Sequence, residues 1–150
     1  MSCNQIPAVA VRKVHPLAQL PFYATEGAAA ADVCGVNEEA ITIYPGQSVF
    51  IDTGLQFEVP KGYELKAYSR SGHGFKSGIR LSNCTGILDS DYRGNLGVKL
   101  HNDSGVPYVL GPRERIVQIQ VKKIPQSNFF WVDELTDTVR GEAGFGSTGK

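Results

Sequence analysis

Apolar residues along this 150-residue chain fall on alternate positions over most of its length. Val49, Ile51, Thr53, Leu55, Phe57 and Val59 alternate with more polar neighbours, and Tyr63, Leu65 and Ala67 continue the pattern. Leu96, Val98 and Leu100 repeat it, as do Val117, Ile119 and Val121 around Gln118 and Gln120. A period of two places such residues on one face of a strand. The stretch from Ala8 to Val14 reads as a further strand. Turn signals separate these runs: Pro45-Gly46, Pro60-Lys61-Gly62, Ser104-Gly105 and Gly111-Pro112. Asp89-Ser90-Asp91-Tyr92-Arg93-Gly94 has turn chemistry between two apolar stretches, which predicts a β-hairpin. Ala28 to Ala31 are too few to stand as a helix. The pattern predicts an all-β barrel or jelly roll of short strands. Residues 1–125 form its core. From Pro125 the alternation stops, and residues 126–150 are predicted to form an extended, glycine-rich C-terminal arm of the same single domain.

Composition narrows this picture in three ways. Seventeen glycines and eight prolines exceed the usual share and fit many turns between short strands. Fifteen basic residues balance fifteen acidic ones, so no global steering toward nucleic acid or a membrane is expected, and anion binding must be local. Cys3, Cys34 and Cys84 are odd in number and form no CxxC pair, which predicts free thiols in a reducing compartment rather than disulfides or a zinc site. His15, His73 and His101 lack metal-ligand spacing and are expected in surface or structural roles. The N-terminus shows no basic segment followed by an apolar one, and no apolar run approaches bilayer length, so a cytoplasmic protein is expected.

Four segments carry candidate chemistry. Gly144-Phe-Gly-Ser-Thr-Gly-Lys150 spaces its glycines like a dinucleotide fingerprint and like a Walker A loop. Both motifs need a helix after the loop, and none is expected here, so the segment reads as a lid for a nucleotide bound elsewhere. Tyr68-Ser-Arg70-Ser71-Gly72-His-Gly74, at a strand end, pairs an arginine fork with a hydroxyl and glycines that let backbone amides approach an anion. Read alone it is a surface turn. Asn83 to Asn102 contains Asp89, placed after Ile87-Leu88, where a shielded carboxylate would orient or deprotonate water. Asp91 in the same turn reads as a solvated cap. In Gly111-Pro-Arg-Glu114-Arg115-Ile-Val-Gln118, the glutamines point away from the apolar face, and Glu114 with Arg115 reads as a strand-edge charge pair.

Taken in order, Arg-Ser-Gly, Gly-Ile-Leu-Asp-x-Asp-Tyr-Arg-Gly, Arg-Ile-Val-Gln and Arg-Gly-x-x-Gly-Phe-Gly-Ser-Thr-Gly resemble the trimeric deoxyuridine triphosphate nucleotidohydrolases, or dUTPases. The resemblance spans residues 24–150. Ala29-Ala-Ala-Asp32-Val stands in the place of the family's Ala-Gly-Tyr-Asp-Leu, so Ala30 and Ala31 depart from it. Ser69 for proline, His73 for an apolar residue and Ala143 for glycine are smaller departures.

The resemblance implies jelly-roll subunits of the β-clip type and hydrolysis of dUTP to dUMP and pyrophosphate with Mg2+, in a homotrimer that shares its active sites between subunits. It implies that Asp89 activates the water attacking the α-phosphorus. Asn83 and the backbone around Ile87, Leu88 and Gly97 would read uracil, and Tyr92 would exclude a 2′-hydroxyl. Arg70, Ser71, Gly72 and Gln118 would hold phosphates. Arg140, Gly146, Ser147 and Thr148 would close over the γ-phosphate while Phe145 stacks on uracil, and Asp32 would touch the metal through water. Such an enzyme limits uracil in DNA and supplies dUMP for dTMP synthesis. Two rivals remain: a dCTP deaminase of the same fold, and a nucleotide-gated regulatory binding protein.

Overall fold

The alternating segments pair into three antiparallel sheets in the computed structural model, which describes residues 6–144. The strands are β1 (Ala10–Lys13), β2 (Ala31–Cys34), β3 (Ile41–Ile43), β4 (Ser48–Glu58), β5 (Tyr63–Tyr68), β6 (Ile79–Leu81), β7 (Thr85–Leu88), β8 (Asn95–Asn102), β9 (Tyr108–Leu110) and β10 (Arg115–Lys123). One helix, α1 (Ser71–Ser77), joins β5 to β6. Two four-stranded sheets, ordered β1-β4-β8-β6 and β2-β10-β5-β7, carry most of the chain, and β3 pairs with β9 at the side. The all-β jelly-roll architecture expected from the alternation is the one observed. No described helix is long and apolar enough to cross a membrane.

The core fills the space between the two large sheets. Leu55 and Phe57 of β4 and Leu96, Val98 and Leu100 of β8 meet Leu65 and Ala67 of β5 and Ile116, Val117 and Ile119 of β10. Strict alternation survives in β8, where Leu96, Val98, Leu100 and Asn102 are buried and Asn95, Gly97 and Lys99 are exposed. It breaks in β10, where the register shifts between Arg115 and Val117 and both Ile116 and Val117 turn inward. An extra residue in one strand of a pair produces such a bulge.

Two local expectations are corrected. Residues 89–94 do not close a hairpin: β7 pairs with β5 in one sheet, while β8 pairs with β4 and β6 in the other. The turn instead carries the chain from sheet to sheet. The Ser71–Ser77 segment, read as a turn, coils into a helix whose C-cap Gly78 takes the left-handed conformation (φ 64°).

Asn102 is the polar pin of this frame. It is fully buried, and its Nδ2 donates to the carbonyls of Ile43 and Val106, each at 2.8 Å. Its Oδ1 accepts from Ser104 N and Oγ at 2.8 and 2.7 Å. The side chain ties β8 to β3 and to the turn before β9. Asn102→Leu strands these partners, and equilibrium urea unfolding is expected to lose about 2–4 kcal/mol. A loss below about 0.5 kcal/mol would show that the turn and β3 do not depend on this side chain.

Candidate active site

The change of sheet after Leu88 opens a cleft. β7 is an edge strand, partnered only by β5. β6 covers β8 only over Leu100–Asn102, with Ser82 N donating to Lys99 O as the last bond. The facing edges of β7 and the first half of β8 therefore carry no ladder bonds to each other. Between them lies a cleft of about 600 Å³, lined in part by Asn83, Ile87, Leu88, Asp89, Tyr92 and Gly97. Backbone donors and acceptors of two strands line it at fixed spacing, an arrangement that can read the polar edge of a flat ring.

Two glycines shape the cleft wall. A methyl group at Gly97 would fall 2.5 Å or less from the ring of Phe50, so the aromatic ring lies directly on this backbone. A methyl at Gly94 would collide with Tyr92, whose ring folds back so that its hydroxyl donates to Asn95 O at 3.1 Å. Tyr92 N also donates to Asp89 O at 3.1 Å, which closes the turn and fixes the aspartate beside the tyrosine. Asp89 was expected to be shielded by Ile87 and Leu88. It is exposed instead, because the bend after β7 turns it out to the cleft rim, and Ile87 is itself 58% exposed.

A second cluster is built on the other strands of the same sheet. Register aligns Asp32 (β2), Gln118 (β10), Tyr68 (β5) and Thr85 (β7) in one row across it. Asp32 is buried between two guanidinium groups: Arg115 Nη1 donates to Oδ2 at 2.9 Å, and Arg70 Nε stands 3.4 Å from Oδ1. Arg70 Nη1 also donates to Arg115 O at 3.0 Å. Behind the arginines, Glu114 accepts from Gly111 N at 2.8 Å, from Tyr108 Oη at 3.1 Å and from His73 Nε2 at 3.0 Å. Burial alone would raise the Glu114 carboxyl, but the Gly111 amide, His73 and the Tyr108 hydroxyl outweigh it and leave its pKa lowered. The Tyr108 hydroxyl is pushed up to about 12 by burial and by that same carboxylate. Glu114 and Arg115 are thus not a charge pair with each other: each engages a partner brought from another element.

Arg70, Ser71, Gly72 and Gln118 gather around this second cluster, and none of them lines the Asp89 cleft. Asp89 lies one residue beyond the Leu65–Leu88 pair, level with Glu64, whereas Arg70 continues two residues past Tyr68 at the far end of β5. Six residues of extended chain separate the two levels, roughly 20 Å. Arg140 lies in the arm, where its Nε donates to Ala143 O at 2.9 Å. Phe145, Gly146, Ser147 and Thr148 lie outside the described residues. Along the arm Phe129, Phe130, Leu135 and Val139 are exposed, and the side chain of Trp131 touches nothing.

Among the described residues no three His, Cys, Asp or Glu side chains meet as a metal-binding group. Asp32 Oδ1 is buried and accepts no hydrogen bond, with the Arg70 Nε at 3.4 Å as its ion-pair neighbour. Phe50, Ser82, Asn95 and Lys99 also line the cleft and were not singled out by sequence. Phe50 and Lys99 carried one legible signal, since both sit on the outward row of their alternating strands.

The family model described as dUTPase matches residues 17–149. A deoxyuridine 5'-triphosphate nucleotidohydrolase of Fusobacterium nucleatum is 46% identical over 132 residues, covering 88% of this chain and 90% of the relative. Its namesake in Nautilia profundicola is 42% identical over 140 residues, covering 93% and 97%. Among solved structures, a point mutant of the Staphylococcus bacteriophage 80alpha dUTPase with dUpNHpp superposes with a TM-score of 0.85 at 24% identity, covering 95% of this chain and 99% of the other. A mutant dUTPase from phage phi11 of S. aureus, described with a structural Mg(II) ion, gives 0.74 at 22% identity, covering 85% and 97%.

Proposed function

The chain belongs to the dUTPase family, and on that premise we propose that it hydrolyses dUTP to dUMP and pyrophosphate, with Asp89 activating the attacking water. The observation that carries this reading is the convergence of Asn83, Ile87, Leu88, Asp89, Tyr92 and Gly97 on one cleft whose strand edges are unpaired. Uracil enters between β7 and β8 and meets the Asn83 amide and the backbone of Ile87, Leu88 and Gly97. A base with the wrong edge leaves buried donors or acceptors unpaired, at a cost of about 1–3 kcal/mol each. Tyr92 stands under the sugar, where a 2′-hydroxyl would collide with its ring. Asp89 orients a water toward the α-phosphorus and accepts its proton as the bond to the pyrophosphate leaving group breaks.

The phosphates need more positive charge than Lys99, the one cationic side chain among the described residues lining the Asp89 cleft, supplies. Arg70 with Ser71, Gly72 and Gln118 supplies it, but from a level about 20 Å along the same sheet, farther than a triphosphate chain extends. One chain therefore offers the two halves of the site to two different substrates. Assembly into a homotrimer, with Arg70 of one copy facing Asp89 of another, brings the halves together. The arm of residues 126–150, with Arg140, Phe145, Gly146, Ser147 and Thr148, closes the site.

The donor set suits a Mg2+ that arrives on the triphosphate rather than one caged by protein. Asp32 Oδ1 is the acceptor that would hold its water shell. When bound, the ion would supply positive charge to offset that of the phosphates. In the cell this activity limits uracil incorporation into DNA and provides dUMP for dTMP synthesis.

Pyrophosphate release measured over dUTP, dCTP, dTTP and UTP, with and without Mg2+, tests the reading. Turnover is expected for dUTP alone and only with the ion. Ammonia released from dCTP would assign a deaminase, and dUTP binding without pyrophosphate release would assign a nucleotide-gated regulator.

A further inference from the structure

We propose that His73 is a positioning residue for the phosphate grip: it occupies Glu114 so that Arg70, whose Nε lies 3.4 Å from Asp32 Oδ1, keeps its Nη2 edge for substrate. This rests on the reading of Arg70 as a phosphate contact. His73 is buried in the first turn of α1, where the resemblance to the family leads one to expect an apolar residue. Its Nε2 lies 3.0 Å from Glu114 Oε1 and 3.2 Å from Arg70 Nη1, while Nδ1 is buried with no partner.

These contacts select one tautomer. A proton on Nδ1 would bury an unpaired N–H and set the Nε2 lone pair against a carboxylate. A proton on Nε2 gives Glu114 a donor and leaves only an acceptor unpaired at Nδ1. With Nε2 protonated, Arg70 Nη1 cannot donate to the ring, and its bond goes to Arg115 O at 3.0 Å. The imidazole thus stands between a guanidinium and a carboxylate that would otherwise pair. Arg–carboxylate pairs are among the strongest and most geometrically selective side-chain contacts. An Arg70 drawn onto Glu114 would be withdrawn from any phosphate. An orphaned buried nitrogen is also a poor choice for stability alone, which points to a use in the site.

The neighbours of His73 fit a fixed spacer. Tyr108 packs edge-on against the ring at a centroid distance of 5.7 Å and donates to the same Glu114 oxygen. Gly111 N holds the other oxygen. With Glu114 supplied by three donors, His73 from α1, Tyr108 from β9 and Gly111 from the loop that follows, its remaining attraction for Arg70 is weak. Among the described residues Arg70 Nη2 makes no hydrogen bond, which leaves that edge of the fork to substrate.

Steady-state kinetics on dUTP with the full chain tests this. His73→Leu fills the same space without a donor, and KM is expected to rise about tenfold with kcat nearly unchanged. His73→Gln, which keeps an N–H for Glu114, is expected to restore KM. In an Arg70→Ala background, which raises KM by itself, the His73→Leu effect is expected to vanish, because the two changes act on one contact. Wild-type KM in folded His73→Leu, or an equal KM rise in the Arg70→Ala background, would overturn the proposal. If Arg70→Ala itself leaves KM unchanged, the phosphate reading of Arg70 fails and this inference fails with it. Thermal unfolding of each variant shows whether it is folded under the assay conditions.

Discussion

Asp89→Asn is expected to lower dUTP turnover by about a hundred- to ten-thousandfold while a non-hydrolysable dUTP analogue still binds within a few-fold of wild type. The amide keeps the size of the carboxylate and its place beside Tyr92, so the turn closed by Tyr92 N on Asp89 O is undisturbed. It cannot take a proton from water at neutral pH. In the proposed reading the ground-state contacts to uracil come from other residues of the cleft, so affinity is expected to survive the loss of the base. Pyrophosphate release and calorimetric titration with the analogue, run on one preparation, separate the two effects. Near-normal turnover would remove Asp89 from the chemistry. A parallel loss of binding would make it a substrate anchor instead.

Mixing two impaired variants, assayed at dUTP concentrations well below saturation, is expected to restore activity. Asp89→Asn lacks the base and Arg70→Ala lacks the phosphate fork, and each forms oligomers in which every site has the same defect. If a site takes Asp89 from one copy and Arg70 from another, random mixed trimers contain sites with both residues intact, and roughly a quarter of wild-type turnover returns. If both residues served one substrate within a single chain, no mixing ratio would help. The variants are unfolded together, refolded and assayed, with separately refolded samples as controls. Activity no greater than that of the controls, in mixtures shown by mass to be hetero-oligomeric, would refute the shared site. The companion measurement is light scattering, expected to give three times the 16.2 kDa chain mass.

What sequence could convey follows from how local each interaction is. β4, β5, β8 and β10 announced themselves because each has one face on the core, and a half-buried strand must alternate. β3 and β9 did not, since three residues are too few for a period to register. The helix at Ser71–Ser77 was hidden by two glycines and a lack of apolar periodicity, so Ser-Gly-His-Gly-Phe reads as a turn until tertiary contacts fix it. The turn at residues 89–94 misled for another reason. Turn residues between apolar runs predict a reversal, but they do not say whether the returning strand rejoins its neighbour or crosses to a second sheet.

The candidate site divides in the same way. Most residues of the Asp89 cleft lie between Leu81 and Lys99, and their pattern could be read directly, whereas Phe50 and Ala67 join from other strands. The environment of Asp32 depends on Arg70 and Arg115, which come from distant segments and meet only through the register of β2, β10 and β5. The tie between Glu114 and His73 spans 41 positions and leaves no trace in spacing. Exposure of Asp89 was also beyond reach, because it depends on the direction of one bend.

Trp131 is the only tryptophan in the chain, and in a single copy it is wholly solvated. Its fluorescence is therefore blind to the barrel. Emission from an isolated chain should sit at the long-wavelength limit and be quenched freely by acrylamide whether the sheets are folded or not. Any blue shift records the arm acquiring a neighbour. Melting curves followed by this signal would report on the arm's surroundings, whereas the tyrosines and far-ultraviolet dichroism report on the sheets.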